Sequence, residues 1–254
     1  LNTPDTKIWT AEDPVEITQK GLRQVQVNNK AGLTFATIMK AFLRADPDII
    51  MVGEMRDKET TSTGIEASLT GHLVLATLHT NSAPESIIRL LDMGMDPFNF
   101  ADALLGILAQ RLAKRLCKCK EAYEPEAAEI QSMLHEYSEE LKQTTDWQKD
   151  PELALETVYK DWVASFASQE GRFTLYRAKG CDACNNTGYK GRLGLHELLV
   201  GSDMVKKQIQ EHARVAELLA TALEEGMRTL KQDGIEKVLQ GLSDMAQIRA
   251  VCIK

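Results

Sequence analysis

Arg44-Ala-Asp-Pro-Asp48-Ile-Ile-Met-Val-Gly-Glu54-Met-Arg-Asp57 is the stretch that decides the fold class of this chain. Asp46-Pro47-Asp48 is a turn signal, and the proline stops any helix arriving from upstream. The apolar run from Ile49 to Val52 is short, as expected of a fully buried strand, and it delivers Gly53-Glu54 at its end. In α/β sheets the chemistry gathers at the carboxyl ends of the strands, so Glu54 is the first candidate functional residue. A buried strand that stops at an acid also occurs in proteins that use the acid for nothing, so its neighbours matter.

Upstream, residues 7–11 and 21–27 read as short strands, and Thr34 caps a helix. Phe35, Ile38, Met39, Phe42 and Leu43 recur along that helix at i, i+3, i+4, i+7 and i+8. Downstream, residues 58–70 read as a helix closed by Gly71, and 73–78 as a second apolar strand ending at His79-Thr80-Asn81. Ser82 and Glu85 have the capping-box spacing at the start of the next helix. A further long helix is expected over 100–115. Strands alternating with helices imply an α/β layer with a largely parallel sheet. Glu12, Asp13, Glu54 and His79 all fall just beyond expected strand ends.

After Arg115 the character changes. Residues 125–168 read as an acidic helical insertion, 172–178 as a strand, 191–199 as extended, and 202–254 as a series of helices. The expected regions are therefore 1–115, an α/β core; 116–200, a cysteine-rich subdomain with the insertion; and 201–254, a helical C-terminal region. The net charge of −7 is uneven: residues 121–170 hold 13 Asp or Glu against Lys142, Lys149 and Lys160, a balance of −10 that leaves +3 elsewhere. The simplest reading of the acidic stretch is a solvated helical face. No dominant basic face argues for direct nucleic-acid binding. No apolar run approaches the ~20 residues that span a bilayer, and no secretory leader pattern opens the sequence. A cytoplasmic protein is the default expectation.

Five cysteines are present. Cys117-x-Cys119 and Cys181-x-x-Cys184 form two close pairs, which in a reducing compartment point to a metal before a disulfide. Four thiolates suit structural Zn2+. A vestigial site held by packing, or a disulfide, stays open as an alternative. Cys252 reads as a small buried hydrophobe.

Taken in order, the motifs are Thr10-Ala-Glu12-Asp13-Pro14-Val-Glu16, the strand ending at Glu54, Thr70-Gly-His72 through His79-Thr-Asn81, Gln110-Arg111 through Arg115-Leu-Cys117, and Gly188-Tyr-Lys-Gly191-Arg-Leu-Gly194-Leu-His-Glu197. The set resembles the secretion ATPases of type II secretion and type IV pilus assembly, whose segments are called the Asp box, Walker B box and His box. The resemblance implies a RecA-like NTPase core with a small metal-binding subdomain and C-terminal helices. It implies ATP and Mg2+ as cofactors, with Glu54 as the Walker B acid, Glu12 and Glu16 as Asp-box carboxylates and His79 near the γ-phosphate. Arg44 would stabilise phosphate charge in cis or across a subunit boundary, and Lys40 would assist nucleotide binding. Arg23, on a strand beside Gln24 and Gln26, could reach a phosphate, and a sheet-edge charge reads equally well. His72, by contrast, reads as a structural residue of the Gly71 turn.

Lys40 stands where the family commonly has arginine, so the bidentate fork is lost. The cysteine spacing of one residue is a second departure. No Gly-x-x-x-x-Gly-Lys-Ser/Thr loop occurs in the sequence. The expectation is therefore the C-terminal part of a longer hexameric motor ATPase that docks on an inner-membrane platform protein, and is itself a poor enzyme. A non-catalytic, truncated paralogue acting in assembly is the alternative, and a nucleic-acid-handling zinc protein is a third class that the charge balance disfavours.

Overall fold

A computed structural model describes residues 1–252. In chain order the elements are β1 (Ile8–Glu12), β2 (Leu22–Gln26), α1 (Phe35–Phe42), β3 (Ile49–Val52), α2 (Lys58–Leu69), β4 (Leu73–Ala76), α3 (Ala83–Asp92), α4 (Pro97–Ala103), β5 (Gly106–Leu116) and β6 (Glu121–Tyr123). They continue with α5 (Ala127–Ser138), α6 (Thr145–Lys149), α7 (Pro151–Phe166), β7 (Leu175–Arg177), β8 (Tyr189–Val200), α8 (Asp203–Gln210), α9 (Val215–Glu224), α10 (Leu230–Leu239) and α11 (Met245–Val251). Two compact units result: Leu1–Leu105 with Gly201–Ala213, and Gly106–Val200 with Arg214–Lys254.

The first unit is built on a parallel sheet of order β2-β1-β3-β4. β3 lies between β1 and β4, with Ile50 opposite Trp9 on one side and Val74 on the other. Because a central parallel strand is covered on both faces, its sequence is a continuous apolar run rather than an alternating one. Ile49, Ile50 and Val52 are all buried. α1 turns Phe35, Ile38, Met39 and Phe42 onto this strand, where they share a cluster with Ala11, Ile50 and Val52. Thr34 starts α1 by accepting a hydrogen bond from Thr37 N at 3.2 Å. α2 is polar in sequence, yet Thr60, Thr61, Thr63 and Ala67 are buried. Thr61 and Thr63 bury cheaply because their hydroxyls donate to the carbonyls of Asp57 and Glu59, each at 2.8 Å.

One sequence expectation is overturned here. The helix expected over 100–115 is instead α4, which ends at Ala103, followed by the eleven-residue strand β5. Leu104 is already extended, with φ −75° and ψ 121°. β5 pairs antiparallel with β8, from Gly106 opposite Val200 to Lys114 opposite Arg192. At Gly106 a β-carbon would come within 3.0 Å of the Leu199 carbonyl oxygen. The spacing of Ile107, Leu108 and Leu112 favours a helix, and pairing with the distant β8 overrides that local preference.

In the second unit the inward face of the β5–β8 ribbon, with Ala113 and Leu195, packs into one cluster with Leu230, Ile235 and Ile248 of the last helices. The acidic segment is more than a solvated face: α5 and α7 send Ile130, Met133, Leu134, Tyr137 and Trp162 into the same cluster. Tyr137 stacks edge-on against Trp162 at 5.2 Å and donates its hydroxyl hydrogen to Glu236 Oε1 at 2.7 Å. Burial pushes the Tyr137 hydroxyl well above its usual range, and the Glu236 charge adds to that, so it stays a donor. The acids themselves lie on the outer side. β7 falls within the strand expected over 172–178, whereas its antiparallel partner β6 was not foreseen. Among the described residues, no helix is long and apolar enough to cross a membrane.

Trp162→Ala should destabilise the second unit by ~3–5 kcal/mol, the usual cost of emptying a buried aromatic site. Urea unfolding followed by far-UV circular dichroism measures it, and an unchanged midpoint would contradict the shared core.

Candidate active site and cysteine cluster

Three strands of the first unit end together at one edge. β1 finishes at Glu12, whose Oε1 accepts from the Thr10 hydroxyl at 2.5 Å and from Gln24 Nε2 at 3.0 Å. Gln24 also donates to the Ile17 carbonyl at 2.9 Å and accepts from Gln19 N at 2.7 Å, while Gln26 accepts from Val15 N at 3.2 Å. Two glutamines of β2 thus tie down the loop that carries Glu16, whose side chain is exposed. The Asp13–Pro14 peptide in that loop is cis.

β3 hands over to Gly53, whose N–H donates to the Ala11 carbonyl at 2.7 Å. A β-carbon at Gly53 would lie 2.9 Å from that carbonyl oxygen and 3.3 Å from Glu12 Cα. Only glycine permits this approach, and it sets the backbone of Glu54 beside that of Glu12. On the other side, Thr77 N donates to the Val52 carbonyl at 3.3 Å and Met55 N to the Thr77 carbonyl at 3.0 Å. The Thr77 hydroxyl bonds the Gly53 carbonyl as well. These bonds carry the pairing past the strand ends and bring His79 to Glu54.

The Glu54 carboxylate has both oxygens engaged. His79 Nε2 lies 3.3 Å from Oε1, and Arg56 Nε bonds Oε2. The acid's side chain is 15% exposed, against 84% for His79 and 59% for Arg56. A sheltered carboxylate flanked by an imidazole and an outward-facing guanidinium cation is equipped to orient water or to accept a proton.

The structure brings Glu12, Glu54 and His79 to this edge and leaves three other sequence candidates elsewhere. Arg44 follows α1 and precedes β3, which puts it at the amino edge of the sheet, on the exposed surface. Lys40 Nζ pairs with Glu59 Oε1 at 2.5 Å. The Arg23 guanidinium covers the Trp9 ring at 5.7 Å. His72 closes the Gly71 turn, its Nδ1 3.0 Å from the Ala67 carbonyl oxygen. Sequence reasoning missed Arg56 and Gln24. Arg56 had a signal: in extended chain, residues two apart face the same side, and Arg56 follows Glu54 by two.

The second unit holds the four cysteines together. A tight turn over Asp182–Cys184, followed by left-handed Asn185, Asn186 and Gly188 at φ 51°, 57° and 77°, points two backbone N–H groups at one sulfur. Cys181 N and Gly188 N each lie 3.2 Å from Cys184 Sγ. Cys117 N donates to the Gly188 carbonyl at 2.8 Å, fastening the end of β5 to this knuckle. The sulfurs of Cys117 and Cys181 are 3.9 Å apart, Cys119 and Cys184 3.9 Å, and Cys181 and Cys184 3.8 Å, with all four inside 4.8 Å. A tetrahedron of thiolates about 2.3 Å from a central ion has edges of about 3.8 Å. A disulfide would need about 2.05 Å. The one-residue spacing of Cys117 and Cys119 therefore still brings both sulfurs to the cluster, which could hold a metal ion. Burial pushes the Cys119 thiol up to about 12, helped by its bond to Cys181. Burial acts on Cys184 in the same direction, but the two N–H donors prevail and hold it down at about 6.

Residues 1–250 match the family described as Type II/IV secretion system protein. The chain belongs to this family. It is 44% identical over 255 residues to the type IV pilus assembly ATPase PilB of Thermus thermophilus, covering 100% of this chain and 25% of that protein. It is 40% identical over 256 residues to the type II secretion system ATPase E of Vibrio cholerae, covering 99% of this chain and 44% of that one. The chain thus spans between a quarter and less than half of these relatives. Among solved structures, the pilus retraction motor PilT with bound ADP aligns at a TM-score of 0.60 and 24% identity, over 96% of this chain and 52% of that one. The Legionella pneumophila ATPase DotB aligns at 0.56 and 20%, over 98% and 52%. These likenesses confirm the fold class read from the sequence: an α/β ATPase fold with a parallel sheet, a cysteine cluster and C-terminal helices.

Gly53→Ala should cost ~1–3 kcal/mol, because the new methyl must push β1 and β3 apart. Thermal melting measures it, and a neutral result would mean that the two strands do not approach as closely as described.

Proposed function

We propose that this chain is the C-terminal part of a hexameric cytoplasmic motor ATPase that powers assembly of a type II secretion pseudopilus or a type IV pilus. The observation that carries the reading is the sheltered Glu54 carboxylate, held at the carboxyl end of buried β3 with His79 against it and Glu12 ending the adjacent strand. The relatives named as secretion and pilus-assembly ATPases support it.

In this reading the site would hold MgATP, whose cation would supply charge neutralisation at the phosphates. Glu54 orients the attacking water and accepts its proton. Glu12 and Glu16 face the cation's water shell, with Glu12 held by Thr10 and Gln24. His79, on the exposed side of Glu54, lies toward the terminal phosphate. Arg44 sits at the opposite edge, which favours action on a neighbouring subunit's nucleotide over its own. Arg23 and Lys40 keep their assignment to nucleotide binding, with Lys40 releasing Glu59 to do so. The donor set of acids and bases fits this chemistry, which needs positioning and charge neutralisation rather than covalent catalysis. The phosphate-cradling loop belongs to the longer protein in this reading, so the 254 residues alone turn over ATP poorly. The protein is peripheral to the inner membrane, held there by a platform protein.

The four cysteines hold structural Zn2+, supported by sulfur separations that match a thiolate tetrahedron. Metal analysis should find about one equivalent per chain, lost when Cys181 and Cys184 are both replaced by serine. Metal-free protein of native stability would refute this.

For the active site, Glu54→Gln in the full-length protein should lower kcat by about 100-fold or more while ATP affinity changes less than about threefold. Undiminished turnover would remove Glu54 from the mechanism.

A further inference from the structure

Several electropositive groups of the first unit are engaged by their own neighbours. The N-terminus of α2 is closed by Asp57, which accepts from Thr60 N at 2.8 Å and takes the Thr60 hydroxyl at 2.9 Å. The N-terminus of α3 is closed by Ser82, which accepts from Glu85 N at 3.3 Å. Lys40 is held by Glu59. His79 and Arg56 both lie against one carboxylate, that of Glu54.

The pairing has a chemical cost for an acid that must work on water. A carboxylate oxygen that accepts from a guanidinium is blocked to a water molecule or a cation on that side. The mobility of the two groups is unequal: Glu54 is sheltered and fixed by the strand, whereas Arg56 stands outward on a long stem. A phosphate offers the guanidinium more charge than a carboxylate does, and it matches the planar fork with two oxygens.

We propose that Arg56 serves two anions in turn, capping Glu54 and then passing to the phosphate oxygens of bound nucleotide, so that nucleotide itself uncaps the acid. Arg56 is then both the brake on Glu54 and an anion-binding residue of the same site. The coupling has a regulatory sense: the Oε2 oxygen of the acid is open to water only when a phosphate is there to draw the arginine away. The proposal rests on the reading of Glu54 as the acid of an ATP site.

The test is a double-mutant cycle in the full-length protein with Arg56→Gln, Glu54→Gln and the pair, read by thermal melting. Without nucleotide the two substitutions should be non-additive, because either one breaks the same ion pair. With a non-hydrolysable ATP analogue and Mg2+ they should become additive. In steady state Arg56→Gln should lower kcat at least about tenfold, with KM for ATP shifted less than about threefold. Arg56→Lys should keep the non-additivity but recover only part of kcat, since lysine brings charge without the fork. Non-additivity that survives saturation with the analogue, or an Arg56→Gln protein with unimpaired kcat, would overturn the proposal. Those results together with an inactive Glu54→Gln protein would leave the assigned site standing. Full turnover by Glu54→Gln would instead remove the site, and this inference with it.

Discussion

A parallel strand covered on both faces can present functional groups only at its ends. β3 is such a strand: Ile49, Ile50 and Val52 are buried between flanking strands and the helix α1. Its one route to chemistry is the turn beyond Val52. The bond from Gly53 N to the Ala11 carbonyl at 2.7 Å makes that turn run alongside β1, and Thr77 grips it from β4. The position of Glu54 is thus inherited from sheet packing. Nothing in the loop itself needs to hold the acid in place.

The second unit uses the opposite strategy. It closes an antiparallel ribbon and a knuckle around four sulfurs, and left-handed residues Asn185, Asn186 and Gly188 make the turn tight enough to aim N–H groups at Cys184. Backbone geometry here selects the protonation state of a side chain. In the first unit it selects only a place.

The sequence revealed those elements whose pattern was set by their own burial. α1 was legible from Phe35, Ile38, Met39 and Phe42, because one helical face covers the sheet. β3 was legible from its unbroken apolar run, and α2 and α3 from their caps. β5 was not, because the spacing of Ile107, Leu108 and Leu112 is helical and the strand that overrides it, β8, lies far along the chain. The acidic segment misled in another way: its charge dominated the composition, while Tyr137 and Trp162, which fix its packing, are single residues in a polar background. At the site, spacing from strand ends found Glu12, Glu54 and His79. Arg56 was missed although it follows Glu54 by two residues, a spacing that puts both on one side of extended chain, and its contact with Glu54 makes that spacing count.

The apolar cluster of the second unit draws on chain segments that are far apart in sequence, α5 and α7 on one hand and α10 and α11 on the other. Leu230, Ile235, Val238 and Ile248 cover the inward side of the ribbon together with Ile130 and Met133. Removing the last forty residues would therefore not trim a tail. It would strip the lid from the ribbon and leave the acidic helices with half a core. A protease that nicks between α7 and β7 would find its two products still clasped through Tyr137 and Glu236. Integrity of this unit is a property of interleaved chain, and it survives a cut better than a deletion.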